Sequence, residues 1–135
     1  MDLTKAMQIS AAGMKAQGTR MRIIAENIAN ERSIANGPGD EPYRRRVVTF
    51  ANELDRQLGV ELVKVKSIRK DPSDFGRKYE PSHPAADKDG YVTTTNVNGL
   101  IEEGDMKEAS RTYEANLSAI EAAKNLLMRT LDLLR

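Results

Sequence analysis

Apolar residues follow three regimes along the chain, and these outline the expected fold. From about Asp2 to Asn30, Met7, Met14, Met21 and Ile28 recur every seven residues. Ala11, Gly18 and Ala25 follow the first three of these by four residues. A period of 3.5 is the seam of helices wound left-handedly around a partner. No proline interrupts the stretch, so it predicts one long helix. Gly13 and Gly18 each lower its intrinsic stability by about 1 kcal/mol. The helix therefore relies on packing, and the small seam residues would admit a close neighbouring backbone.

The C-terminal stretch repeats the period more strongly. Met106, Tyr113, Ile120, Leu127 and Leu134 are spaced by seven. Ala109 and Ala123 lie three residues after two of them, and Leu117 and Leu131 four after two others. Asp105 and Glu108, behind Gly104, fit a helix-start signal of the capping-box type. A start near Asn98, with Gly104 as a weak point, fits as well. Each helix also carries a second stripe: Ile9, Ala12, Ala16 and Ile23 on the first, and Ala115, Ala119, Ala122, Leu126 and Leu133 on the second. A two-helix hairpin needs one stripe per helix. The heptad residues are thus expected to pair within the chain, and the second stripes to face other molecules.

Between the helices, about Glu31 to Gly104, lie all five prolines and most of the glycines. Tyr43 to Phe50 and Val60 to Ile68 are rich in β-branched residues and predict strands. Asp89-Gly90 predicts a turn into a short strand, Tyr91 to Thr95. The resulting expectation is a mainly α fold in which two long terminal helices pair as an antiparallel coiled coil. Residues 1–30 and 98–135 form that core, and residues 31–97 a small loop-rich β module.

Composition narrows the function. Only 39% of the 135 residues are hydrophobic and 4% aromatic, thin material for a self-sufficient core. The net charge is +1, and it divides into +2 over residues 1–30, −1 over 31–104 and zero over 105–135. A general nucleic-acid binder would show a clear basic excess. The absence of cysteine excludes disulfides and thiolate metal sites. No apolar run approaches the roughly 20 residues that span a bilayer. No basic-then-apolar signal opens the chain, so any export is expected to need no cleaved signal.

Candidate chemistry is sparse. His83, with Asp87 and Asp89 at spacings of four and six, invites a metal reading, but no further ligand closes a site. Asp87-Lys88-Asp89-Gly90 lacks the third acidic position and late glutamate of a calcium loop. A solvated turn explains these residues better. No nucleophile motif is present and one histidine would have to serve every base role, so neither an enzyme nor a cofactor is expected. Arg44-Arg45-Arg46, flanked by Tyr43 and Phe50, is the one basic cluster, and locally it suits a membrane-surface or nucleic-acid module. Strand alternation would instead send Arg44 and Arg46 to one face and Arg45 to the other.

Several motifs resemble one family. Ser10-Ala11-Ala12-Gly13-Met14-Lys15-Ala16-Gln17 and Ile24-Ala25-Glu26-Asn27-Ile28-Ala29-Asn30 look like the N-terminal signature of flagellar axial proteins, which include the rod and hook proteins. Tyr79-x-Pro81-x-His83-Pro84, the run from Asp87 to Asn98 and Ser110-Arg111-x-Tyr113-Glu114-Ala115-Asn116 are similar to the proximal-rod branch of the basal-body rod family. The resemblance covers both helices and the second half of the middle, and is weaker over Glu31 to Lys70 and Gly99 to Gly104. It implies a structural subunit exported by the flagellar type III apparatus and assembled in the periplasm into the rod of the basal body. It further implies terminal helices lining the export channel. The implied partners are further copies of the chain, the rod proteins FlgB, FlgF and FlgG, and the base adaptor FliE. Another axial subunit, such as FlgB itself, is the nearest alternative identity.

Overall fold

The computed structural model describes residues 2–135; Met1 lies outside them. The elements run α1 (Leu3–Ala29), β1 (Arg46–Asp55), β2 (Val60–Lys70), β3 (Gly76–Tyr79), β4 (Tyr91–Thr94) and α2 (Gly99–Leu133). Asp2 caps α1, its Oδ1 accepting from the Thr4 N–H at 2.9 Å. Asn30 closes the helix by donating from Nδ2 to the Glu26 carbonyl at 2.8 Å. Helix α2 starts at the earlier of the two candidate points. Asn98 Oδ1 accepts from the N–H groups of Leu100 and Ile101 at 3.1 and 3.4 Å, and the helix continues through Gly104.

The mainly α expectation is overturned. Helix makes up 46% of the chain and strand 22%, in two small antiparallel sheets, so the fold is mixed. Strands β1 and β2 form one sheet and β3 and β4 the other. The hairpin between β1 and β2 is set by Asp55, whose Oδ1 accepts from Gln57 and Leu58 N–H groups at 2.9 and 3.1 Å. Gly59, at φ 69°, completes that turn. In the second sheet Gly76 pairs with Thr94 and Tyr79 with Tyr91, and Ile34 adds an isolated bridge to Thr94. The missed element is β3, whose Gly-Arg-Lys-Tyr carries no apolar alternation.

By internal contacts the chain divides into two compact units. The first takes residues 1–21, 48–67 and 107–135. Here α1 buries Ala16, β2 buries Leu62, and α2 buries Ala109 and Ala123. Helices meet through small and polar groups: Gly13 lies under the Asn116 side chain, Ser110 Oγ donates to Met21 Sδ at 3.5 Å, and Arg20 approaches Glu108 at 3.5 Å. The hairpin competes for the same helix surface. Ala12, Ala16 and Thr19 of α1 share a groove of about 400 Å³ with Leu62, Val63 and Val65 of β2. A helix flanked by a sheet as well as a second helix cannot keep the single narrow seam of a coiled coil.

The second unit takes residues 22–47 and 68–106. Its buried apolar side chains are Ile23, Ile24, Ala35, Ala85 and Val92, with Asn27, Thr95 and Glu102 buried among them.

Candidate functional site: a polar node and an exposed helix end

The sequence signature around Asn27 builds the polar centre of the second unit. Asn27 is 1% exposed. Its Oδ1 accepts from the Arg46 N–H at 3.0 Å and from the Tyr43 hydroxyl at 2.7 Å. Its Nδ2 donates to the Arg46 carbonyl at 2.9 Å and to Glu102 Oε2 at 3.2 Å. Two donors and two acceptor sites are the full capacity of an amide, and all are used. Glu102 is wholly buried and is salt-bridged by Arg45 Nε. Arg45 also reaches Asp71 at 3.1 Å and Asp105 at 3.6 Å.

Electrostatics follow from this packing. Burial alone would lower the Arg45 pKa, but the hydrogen bonds and charges of Glu102 and Asp71 raise it above its ordinary value. The Ser73 backbone N–H, with further help from the Ser73 side chain and Arg45, holds the Asp71 carboxyl below its ordinary value. Burial, then the nearby Glu26 carboxylate, pushes the Tyr43 phenol up.

The arginine cluster is consumed inside the protein. Arg44 lies over the Phe75 ring at 4.0 Å and donates to the Asp71 and Ser73 carbonyls at 2.8 Å each. Arg46 pairs with Glu26 at 2.8 Å. The nucleic-acid or membrane reading of Arg44 to Arg46 finds no support in these contacts. The acidic turn is likewise occupied. Asp87 Oδ1 accepts from the Tyr91 and Asp89 N–H groups at 2.9 Å each, and Oδ2 pairs with Arg77 at 2.9 Å. Those bonds, Tyr91 first, hold the Asp87 pKa below its ordinary value. His83 Nδ1 accepts from the Ala85 N–H at 3.0 Å within the same loop.

The other feature is the end of α2. Residues 124–135 are exposed throughout, including Leu126, Leu127, Met128, Leu131, Leu133 and Leu134. Leu133 is 85% and Leu134 79% exposed. Contiguous exposed apolar surface of this kind makes the helix end a candidate interaction surface.

Comparison with known proteins decides what such a molecule is. The C-terminal region of the flagellar basal body rod FlgEFG protein family matches residues 88–133. A flagellar basal-body rod protein FlgC from Agrobacterium fabrum is 50% identical over 133 residues, 98% of this chain and 96% of the relative. FlgC proteins of Borreliella burgdorferi and Salmonella typhimurium are 37% and 33% identical, each alignment spanning at least 98% of both chains. The chain belongs to the FlgC family of flagellar basal-body rod proteins. It is a structural subunit of the rod, and the basal-body rod is where it resides.

In this rod subunit the sequence-derived surfaces sort unevenly. Of the heptad set on α1, Met7, Met14, Gly18, Met21 and Ile28 are half-buried, while Ala11 and Ala25 are exposed. On α2, Ala109 is buried and Met106, Tyr113 and Ile120 are half-buried, but Leu117, Leu127, Leu131 and Leu134 are exposed. Of the residues expected to face other molecules, Ile9, Ala115, Ala119, Ala122, Leu126 and Leu133 are exposed and Ala12 is half-buried. Ala16 and Ile23 are buried inside the chain, which corrects their expected place on an intersubunit face. They lie on the α1 line that runs through Gly13 and Asn27, all four buried. Apolar periodicity did not reveal that line because half of it is glycine and asparagine. Asn27 and Glu102, the centre of the polar node, carried one readable signal: Asn27 sits inside the family signature.

Proposed function

We propose that the chain enters the rod through the exposed end of α2 and the alanine face above it. The carrying observation is the unbroken exposure of residues 124–135 with six large apolar side chains. Ala115, Ala119 and Ala122 extend this surface with small residues that admit close packing. Further copies of the chain, the rod proteins FlgB, FlgF and FlgG, and the base adaptor FliE are the partners in this reading, with delivery by the flagellar type III export apparatus.

The test places Ala122→Glu and Leu131→Glu in cells lacking the native chain. Both positions are exposed, so the subunit should remain folded by circular dichroism and should still be secreted. Basal bodies carrying a complete rod should be lost, and motility with them. Normal rods from both variants would remove the α2 end from the assembly surface.

A further inference from the structure

Within the first compact unit, two stretches of helix carry opposite charge that the chain leaves unused. From Leu3 to Thr19, α1 contains Lys5 and Lys15 and no carboxylate. From Thr112 to Ala123, α2 contains Glu114 and Glu121 and no cation. Both stretches belong to that one unit. Lys15, Glu114 and Glu121 are exposed and Lys5 is half-buried. Among the described residues, none of these four side chains enters an ion pair or hydrogen bond. Arg111 and Lys124 stand three residues outside the two carboxylates and pair with neither.

The charges also match in spacing. Glu114 and Glu121 lie seven residues apart on one line of α2, as do Gln8 and Lys15 on α1. Seven residues advance a helix by about 10 Å. An amide donor and an ammonium on one helix thus stand as far apart as two carboxylates on the other. Midway between each pair is a small exposed residue, Ala11 on α1 and Ser118 on α2. Gly18 continues the α1 line, and a Cβ there would meet nothing within 4 Å. A second helix can therefore come close along this line. Leu117, 39% exposed, adds apolar contact beside the carboxylates.

We propose that the α1 face of Gln8, Ala11 and Lys15 receives the α2 face of Glu114, Ser118 and Glu121 from a second copy of this chain. Complementary charge fixes the register, and small residues let the two helices touch. Every copy carries both faces, so each can give one and receive the other. Such head-to-tail contacts build rings or open helices rather than closed pairs. The contact rests on the proposal that further copies of the chain are partners in the rod, and names a pair of faces through which they meet.

The test has two arms, both on the full chain in cells lacking the native one. Lys15→Glu should be as abundant and as well secreted as the parent, yet lower the yield of complete basal bodies about tenfold or more, since like charges would face each other. Adding Glu114→Lys or Glu121→Lys, whichever meets residue 15, should restore the yield, and the one that does so gives the relative direction of the two helices. Normal rods from Lys15→Glu, or rescue by neither lysine, would overturn the proposal. For the second arm, the absence of native cysteine lets a short bis-maleimide report only introduced thiols. Basal bodies built from the Ala11→Cys, Ser118→Cys chain should give covalent dimers and higher multimers, and those with either cysteine alone should give neither. Absence of multimers from the double variant, or dimers from a single one, would overturn the proposal. Loss of rods in Ala122→Glu and Leu131→Glu without crosslinking would remove this contact alone. Normal rods in those two variants with crosslinking intact would remove the α2 end from assembly and leave this contact standing.

Discussion

Asn27 stands in for a β-strand beside Arg46, taking the Arg46 N–H on its Oδ1 at 3.0 Å and giving Nδ2 to the Arg46 carbonyl at 2.9 Å. A side-chain amide thus satisfies both backbone groups of the first residue of β1. Asn27→Ala would leave these groups, the Tyr43 hydroxyl and one Glu102 oxygen without their partner. The expected loss is about 2–4 kcal/mol, since unsatisfied buried polar groups cost more than a bond contributes. Urea unfolding measures it, and a midpoint unchanged from the parent would refute the role assigned to Asn27. Asn27→Asp should be no better, because it removes both donors and adds a charge beside Glu102.

Arg45 is the cation that balances Glu102 in the interior. Arg45→Met should destabilise by about 3 kcal/mol or more, because a buried carboxylate is left uncompensated. Adding Glu102→Leu to that variant should recover part of the loss, the remainder reflecting the Asn27 Nδ2 donor left without its Glu102 acceptor. The double-mutant cycle reads the coupling directly, and additive effects would mean that the two side chains act independently.

Stability should fall in acid partly through Asp71. Its carboxyl pKa is lower in the folded chain than its ordinary value near 3.8, through the Ser73 hydrogen bonds and Arg45. A group with a depressed folded pKa contributes fully above its unfolded pKa and loses that contribution as pH falls through the folded one. The Asp71 contribution is therefore complete above about pH 5 and declines below about pH 4. Thermal unfolding from pH 7 to pH 2.5 should show a shallower acid decline in Asp71→Asn than in the parent. Superimposable acid profiles would exclude this contribution.

At Gly13 the Asn116 side chain of α2 fills the space that a Cβ would take. An added Cβ would lie 2.7 Å from Asn116 Nδ2. Gly13→Ala gains about 1 kcal/mol of helix propensity but must turn the Asn116 amide aside, so its net effect is expected to stay within about 1 kcal/mol of the parent. Asn116→Ala should relieve the overlap, so the double variant should be more stable than Gly13→Ala alone. Chemical denaturation of the three variants checks the order.

The sequence located most elements but not the surfaces that bind them together. The proline-free stretch ending at Asn30 gave α1 nearly to its ends, Leu3–Ala29. The β-branched runs gave β1 and β2, although β1 extends to Asp55 through Asn52 and Glu53. Pairing with β2, rather than apolar content, carries the strand through those polar residues. On α2 the apolar period located Met106, Ala109, Tyr113, Ile120 and Ala123 on the inward side. It then continued to Leu127 and Leu134, which none of the described residues buries. Periodicity records what a residue can bury against, and not whether the partner belongs to the same molecule. The polar node escaped because burial of asparagine and glutamate depends on partners 19 to 75 residues away, which no local pattern displays.

The node also dictates an order of events during biosynthesis. Asn27 is joined to Glu102 across 75 residues and Arg45 to Glu102 across 57. Closing loops of that length is slow compared with forming a turn or hairpin. On the ribosome the N-terminal helix emerges first, yet the buried carboxylate it needs is made only after three-quarters of the chain. Nascent α1 must therefore wait with Asn27 and Ile23 unsheltered while both hairpins form. A truncation before residue 102 would strand the chain in that state, with Asn27 Nδ2 lacking the Glu102 carboxylate that accepts from it.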